Sequence, residues 1–519
     1  MKSEELFEHM SAIDNEVLVR SEQAGGNANA GKETGLRRRN KTLIRAAVVV
    51  AAMLVIVSVA WIVKPDLFRR NVGEETKKKM TENERYLSQY LLAKAEYPEE
   101  MKIPSVEQYR NADGSVDYEQ YVRAYDDWSR KVRQGRSTST SLSAVVRNGI
   151  AVFTEKSLPK LFAEEAGKNR VYSPTNLYMA LAMLAEITDG NTRAQILKVL
   201  GTSDVGELRA AVDDAWKTLY HDDGTITTIL ASSLWLRNDS SVSYIKETID
   251  RLAANYHASV FSGTMGSEEY NKALRTWLNE QTGGLLEESV SQQSLDANTA
   301  LAVATTLYYS AKWDQEFMGT AVKDKFHAGS GDIECDFMKQ TITGYYYAGD
   351  RFAAVYKNFE YESNTLDNMI FFLPDEGVSV EELLEDPQVL AMLGCPYEQP
   401  QSKFITIHLS VPKFDVASDS NVSGCLQQLG ITDAFTSGTA DFSPIAENAK
   451  EFYLSKVDHS VRVQIDEEGV KAAAYTVLPL AGAEMPPEEE ADFILDRPFL
   501  FAIRTMNGTP LFIGIVENP

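Results

Sequence analysis

The chain has 519 residues, a formal net charge of −24 and 44% apolar residues. Such a charge disfavours non-specific binding to nucleic acid or anionic lipid by the main body, while the apolar content supports a real core over most of the length. The three cysteines, Cys335, Cys395 and Cys425, are odd in number and far apart, so neither a disulfide framework nor a metal site is expected.

In chain order, residues 1–40 read as a cytoplasmic tail. Leu6, Met10, Ile13 and Val17 fall at helical spacing and a Gly/Asn/Ala stretch follows. Within 43–63, the uncharged run Ala46 to Val63 spans about 27 Å as a helix. Arg37, Arg38, Arg39, Lys41 and Arg45 precede it. The run is too long, and has too much chain before it, for a secretory signal, so a single-pass anchor is expected. The basic flank places the N-terminus in the cytoplasm and the bulk of the chain outside the cell.

Residues 65–140 read as an extracellular stalk and linker with short helices. Tyr118, Tyr121, Tyr125 and Trp128 recur at spacings of three and four, an aromatic stripe expected to lie on the neighbouring domain. Asn111 to Asp117 has the look of half a calcium loop, but Tyr109 and Gln120 stand where acidic ligands would be needed, so no calcium site is expected. From 141 to 519 the chain is continuous. Helical patterns dominate 142–220, strands are expected around 226–237 and 300–312, and strand patterns prevail from 342 onward. That is an α+β arrangement.

Several separated motifs in this last stretch follow one another in a known order. They are Tyr172-Ser-Pro-Thr-Asn-Leu177, Asn191-Thr-Arg-Ala-Gln195, Trp277-Leu-Asn-Glu-Gln-Thr-Gly283, Thr305-Thr-Leu-Tyr-Tyr-Ser-Ala-Lys-Trp313, Phe371-Phe-Leu-Pro374, Val411-Pro-Lys-Phe414, Ser455-Lys-Val-Asp-His459, Asp466-Glu-Glu-Gly469 and Asp496-Arg-Pro-Phe499. Together they resemble the serpin (serine protease inhibitor) family over residues 141–519. The resemblance implies a serpin-like α+β fold with a central five-stranded sheet, further sheets, about nine helices and an exposed reactive loop. It also implies suicide inhibition: a serine protease cleaves the loop, is held as an acyl-enzyme, and is distorted as the loop enters the central sheet. No cofactor is implied, and the partner is a serine protease, elastase-like or subtilisin-like.

The hinge, Glu467, Glu468, Gly469, Val470, Lys471, Ala472, Ala473, Ala474, Tyr475 and Thr476, can be sorted by face. An inserted strand turns alternate residues inward. Val470, Ala472, Ala474 and Thr476 are small or β-branched and can be buried; Lys471, Ala473 and Tyr475 would face out. The family's usual loop count from Gly469 places the cut at Ala483–Glu484. Ala483 suits a shallow, elastase-like pocket, and no Lys or Arg lies between Lys471 and Arg497 to suit a trypsin-like one. The resemblance also marks Ser173, Asn176, Thr305, Trp313 and His459 as supports for sheet opening, with Lys413 paired to Glu467.

The chain departs from the family pattern at Asn176, Thr305, Val470 and Tyr475. At Pro479, insertion would lose a ladder hydrogen bond. No catalytic residues are expected: Gly-x-Ser-x-Gly, His-Glu-x-x-His, P-loop and dinucleotide fingerprints are all missing. The alternative to inhibition is a non-inhibitory serpin that binds or adheres at a surface. The helix expected at Glu207 to Tyr220 carries Arg209 and Lys217 among acidic residues, so no polyanion activator is expected, and a monomer is. A stalk-borne inhibitor without a cleavable signal suggests a bacterial surface protein, whereas Asn238, Asn421 and Asn507, each in an Asn-x-Ser/Thr site, keep a eukaryotic secretory origin open.

Overall fold

The computed structural model describes residues 80–98, 100–111, 114–135, 142–163, 166–222, 226–284, 286, 289–359, 367–395, 398–470 and 487–519. The expected tail 1–40, the anchor 43–63, and the loop positions Lys471, Ala472, Ala473, Ala474, Tyr475, Thr476, Pro479, Ala483 and Glu484 lie outside them. Among the described residues, no helix is long and apolar enough to cross a membrane.

Ten α-helices are formed by the described residues: α1 Glu82–Leu87, α2 Tyr118–Gly135, α3 Ala144–Ala163, α4 Pro174–Glu186, α5 Gly190–Val199, α6 Val205–Leu219, α7 Lys246–Tyr256, α8 Glu268–Gln281, α9 Pro387–Met392 and α10 Ser423–Gln428. Local sequence sets their starts. Pro174 opens α4 at a position where its missing N–H costs nothing, and the Ser173 hydroxyl accepts from the Asn176 amide (3.1 Å). Every residue of α4 is buried, which fits a helix apolar on all sides. Ser267 caps α8 in the same way, and Glu268 and Glu269 in its first turn favour the positive end of the helix dipole.

The main sheet has five substantial strands and three short additions. In chain order we label β1 Leu91–Ala93, β2 Ile226–Arg237, β3 Ala258–Gly263, β4 Leu301–Lys312, β5 Phe414–Asn421, β6 Leu454–Ile465 and β7 Gly469–Val470. Across the sheet the order is β1-β3-β2-β4-β7-β6-β5, and His221–Asp222 pairs with β2. The two parallel pairs are β2 with β3 and β4 with β6. A nine-stranded second sheet runs from Glu490–Ile494 through Gln401–Pro412, Gly331–Ala348, Phe352–Asn358, Asn368–Pro374, Phe499–Arg504 and Pro510–Val516 to Arg170–Tyr172, with Val322–Ala328 on Gly331–Ala348. Strands therefore prevail from 322, ahead of the 342 read from sequence.

The largest core fills the space between α4, the inner face of the main sheet and the second sheet, with Leu177, Leu181, Leu307, Phe371, Val461 and Phe501 among its members. A second apolar cluster lies on the other face of the main sheet, where Trp277 and Leu278 of α8 meet Ala302 and Ala304 of β4. Residues 82–519 form one unit.

The segment read as a stalk behaves differently along its length. Residues 82–98 join the body: Leu87 is buried in the α8 cluster, and β1 extends the main sheet beside β3. The aromatic stripe of α2 folds back on its own preceding chain. Tyr109, Tyr121, Tyr125 and Trp128 form a chain of rings with centroids 5.6–6.2 Å apart, and the Trp128 indole N–H donates to the Met101 carbonyl (2.7 Å). Tyr118 stays exposed.

Candidate functional site: the seam of the main sheet

Two conditions hold along the boundary between β4 and β6. In its lower part the strands pair directly, from Leu454 opposite Leu301 to Val461 opposite Leu307. In its upper part they part, and β7 stands between them: Val470 pairs with both Ala311 and Ile465, and Gly469 with Lys312. Gly469 and Val470 of the hinge are thus already a strand, antiparallel to both neighbours.

Gly469 is required by this fit. A Cβ there would lie 2.2 Å from the Ala311 carbonyl oxygen and 2.7 Å from the Lys312 Cα, both backbone atoms that cannot turn aside. Val470 is only 2% exposed and joins the main core, which matches the inward face assigned to it. A tight turn feeds the pair into the seam. The Asp466 carboxylate accepts from the amides of Glu468 (2.9 Å) and Gly469 (3.2 Å), and the Asp466 amide donates to the Gly469 carbonyl (3.0 Å).

The turn is fastened to the end of β4. The Trp313 amide donates to the Glu468 carbonyl (2.9 Å), the Phe317 amide to the Glu467 carbonyl (2.9 Å), and the Trp313 indole N–H to the Asp466 carbonyl (3.0 Å). Trp313 itself is buried and stacks on Phe359 with centroids 4.8 Å apart. Lys357 lies over Trp313 and Phe317 and donates to the Gln315 carbonyl (2.7 Å) and the Gln340 side chain (2.8 Å). Burial pushes its ammonium down to about 8, partly offset by Asp314, whose own carboxyl burial pushes up. Lys413 pairs with Glu467 at 2.6 Å, as expected, with both side chains partly exposed. Burial works to raise the Glu467 carboxyl, but the hydrogen bond from Lys413 and backbone donors outweigh it and hold it below the usual range.

Below β7, the support residues are brought together only in part. His459 lies opposite Thr305 across the β4–β6 ladder, and its Nε2 accepts from the Ser173 backbone amide (2.9 Å). Ser173 therefore reaches His459 through its main chain, while its hydroxyl serves the α4 cap. Full burial pushes the His459 imidazole down to about 3, so the ring is neutral at pH 7 with its proton on Nδ1. Among the described residues Nδ1 has no hydrogen-bond partner, and neither do the side-chain atoms of Asn176. The Thr305 hydroxyl donates to the Ala231 carbonyl (3.3 Å). Asn176 and Thr305 thus make no hydrogen bond to each other.

A second group of polar residues spans the lower seam, and the sequence reading did not single it out. Gln293, in the chain that leaves α8, donates to Asp419 of β5 (2.7 Å) and accepts from Lys456 of β6 (3.1 Å). Lys456 pairs with buried Asp458 at 2.5 Å, and the Ser460 hydroxyl donates to Asp419 (2.5 Å). Burial pushes the Asp458 carboxyl up to about 6 against the pull of Lys456. A signal was available: Lys456, Asp458 and Ser460 alternate, so a strand must put all three on one face.

Beyond the loop, the chain returns as Glu490–Ile494, parallel to Gln401–Pro412. The Thr406 amide donates to the Glu489 carbonyl (3.0 Å), and Lys403 pairs with Glu489 (2.8 Å). Both ends of the segment 471–486 are therefore anchored in sheets, one in the seam and one at an edge. Arg209, on the helix considered for polyanions, is bound by Glu186, and Lys217 by Asp213. No cluster of residues able to hold a metal ion occurs among the described residues.

Comparison with known proteins places this arrangement. The family model "Serpin (serine protease inhibitor)" matches residues 148–519. Among curated proteins, Serpin-Z2B of Triticum aestivum is 27% identical over 402 residues, covering 73% of this chain and 99% of the relative. The leukocyte elastase inhibitor of Sus scrofa is 28% identical over 362 residues, covering 68% and 93%. Among solved structures, the native state of the thermophilic serpin tengpin superposes with a TM-score of 0.64 at 23% identity, covering 74% of this chain and 96% of that one.

Proposed function

This chain belongs to the serpin family, and from that premise we propose that it is a suicide inhibitor of serine proteases with an elastase-like preference. The observation that carries the reading is β7: Gly469 and Val470 stand between β4 and β6, in register with both. Residues that follow can extend the same antiparallel ladder, Ala472, Ala474 and Thr476 inward, Lys471, Ala473 and Tyr475 outward. The small inward side chains cost little to bury, and the seam offers unpaired backbone groups only where the strands part.

The reaction runs in this order. The protease serine attacks the Ala483 carbonyl, the Ala483–Glu484 bond breaks, and the Glu484 amine leaves with a proton from the protease histidine. An ester then joins Ala483 to the protease. The freed loop enters the seam, β4 and β6 separate from Val461 downward, and the ester-linked protease is carried along and deformed before water can reach the ester. The new backbone hydrogen bonds and the burial of the inward side chains drive the movement. We further propose that the helix within 43–63 tethers the inhibitor at the cell surface with the N-terminus in the cytoplasm, and that it acts as a monomer without a cofactor.

Incubation of the full chain with an elastase, followed by a denaturing gel, tests this. A denaturation-resistant band at the summed mass is expected, and sequencing the released C-terminal peptide should begin at Glu484. Cleavage without such a band would refute inhibition and favour a non-inhibitory binding role.

A further inference from the structure

Ahead of the residues that match the family, the segment 82–102 crosses several elements on one side of the main sheet. The Tyr86 hydroxyl donates to the Glu269 carbonyl of α8 (2.7 Å), and the Tyr90 ring meets that of Tyr270 at 5.2 Å. Leu91 and Ala93 pair with Phe261 and Val260 of β3, and the Ala95 amide donates to the Ser259 hydroxyl (3.2 Å). Tyr97 is the central contact. Its ring stacks on Trp216 of α6 (5.4 Å, 28°), while its hydroxyl donates to Gln281, the last residue of α8 (3.1 Å). Further on, Glu100 accepts from the Asp222 amide (2.7 Å) and Lys102 donates to the Asp222 carbonyl (2.6 Å).

All of these partners sit on the β2–β3–β4 half of the sheet or on helices packed there. Helix α8 touches both halves. Its apolar side packs on Ala302 and Ala304 of β4, and the chain leaving it grips Asp419 and Lys456 on the β5–β6 half through Gln293, itself held by Arg275 of α8 (3.1 Å to the Gln293 carbonyl). For a strand to enter below Val470, β4 and β6 must separate where they now pair. α8 then has to slide on one half, and any slide on the β3 side strains the Tyr97 contacts to α6 and Gln281.

We propose that residues 82–102 are a built-in brace that fixes α8 and the β3 edge to α6, and so slows entry of the uncleaved loop into the seam. The brace sets how long the chain stays in its open-loop state, and loosening it lets the loop insert without cleavage. The inference rests on the insertion reading given above but does not need a protease to be tested.

The test uses the full chain and its Tyr97→Ala, Tyr97→Phe and Tyr121→Ala variants. Two rates are followed: hydrogen exchange of the paired amides in 301–307 and 454–461, and loss of loop cleavability during incubation at 37 °C, read by mass spectrometry. Tyr97→Ala removes an aromatic stack and should speed both by up to about tenfold. Tyr97→Phe keeps the stack and should lie between it and the wild type; Tyr121→Ala, outside the brace, should match the wild type. Exchange that rises only within 82–102, with both seam rates unchanged, would overturn the proposal. If Tyr97→Ala fails to fold, the double change Glu100→Ala with Lys102→Ala, which removes both side chains' bonds to Asp222, should still raise both rates, and no rise in either would overturn the proposal. An elastase that cleaves without forming a complex, while the seam rates respond as expected, would remove the inhibitory function and leave the brace standing.

Discussion

The upper and lower parts of one seam, formed by the same two strands, are held in opposite ways. Above, β4 and β6 are parted by Gly469 and Val470, and the contacts there are main-chain bonds to the Asp466 turn around the buried Trp313. Below, the strands pair directly and side chains do the closing: neutral His459 against the Ser173 amide on one face, and Lys456, Asp458, Asp419 and Gln293 on the other. A seam that is open at one end and latched at the other can admit a strand progressively. The upper part sets where insertion starts, and the lower part sets what resists it.

The largest expected effect comes from closing the upper part to its strand. Gly469→Val would drive Cβ into the Ala311 carbonyl, a clash costing about 1–3 kcal/mol, so the balance should shift roughly tenfold or more from trapped complex to cleaved product. Quantifying the two bands on a denaturing gel at equal protease checks this. A normal yield of complex would show that β7 is not the starting point.

Next in size is the acid response of His459. Its imidazole is held at about 3 in the fold, against an ordinary value of 6.5. A depressed pKa gives stability that is complete above the unfolded value and is lost as pH falls toward the folded one. The contribution lost by pH 5 is about 2 kcal/mol. Denaturant midpoints of the wild type should therefore fall between pH 6.5 and 5, and His459→Gln should lack that part of the decline although it is less stable at pH 7.

Asp458 works in the opposite sense. Its carboxyl is raised to about 6, so it favours the fold fully below its ordinary value of 3.8, and this contribution is lost as pH rises through 6. Asp458→Asn should gain on the wild type by about 1 kcal/mol or more between pH 4 and pH 7, as read from the same titrations. A difference that stays flat with pH would show that the fold does not raise the Asp458 carboxyl. The smallest effect is expected at Lys413. It and Glu467 are both partly exposed, so Lys413→Ala should change the unfolding free energy by no more than about 1 kcal/mol and leave the complex band in place.

How much of this was legible in the sequence depended on the range of the interactions. The strand period placed Val470 inward without any knowledge of its neighbours, and the Glu467–Lys413 pair followed from motif positions. Ser173 was singled out, but its hydroxyl serves a local cap and its amide does the long-range work; a side-chain reading cannot distinguish these, because every residue carries the same amide. Residues 82–102 look polar and stalk-like because Tyr97 finds its partners 119 to 184 positions later, stacking on Trp216 and donating to Gln281. Asp458 is buried between β4 and β5, a placement set by strand pairings distant in sequence, although its alternation with Lys456 was visible.

The central claim is that the seam gains a strand once the loop is cut. Thermal unfolding of the intact chain, compared with chain nicked within 471–486, tests it most directly, since an inserted loop completes the ladder along the whole of β4 and β6. The nicked chain is expected to unfold well above the intact one. Equal or lower unfolding temperatures for the nicked chain would contradict insertion and, with it, the mechanism built on the seam.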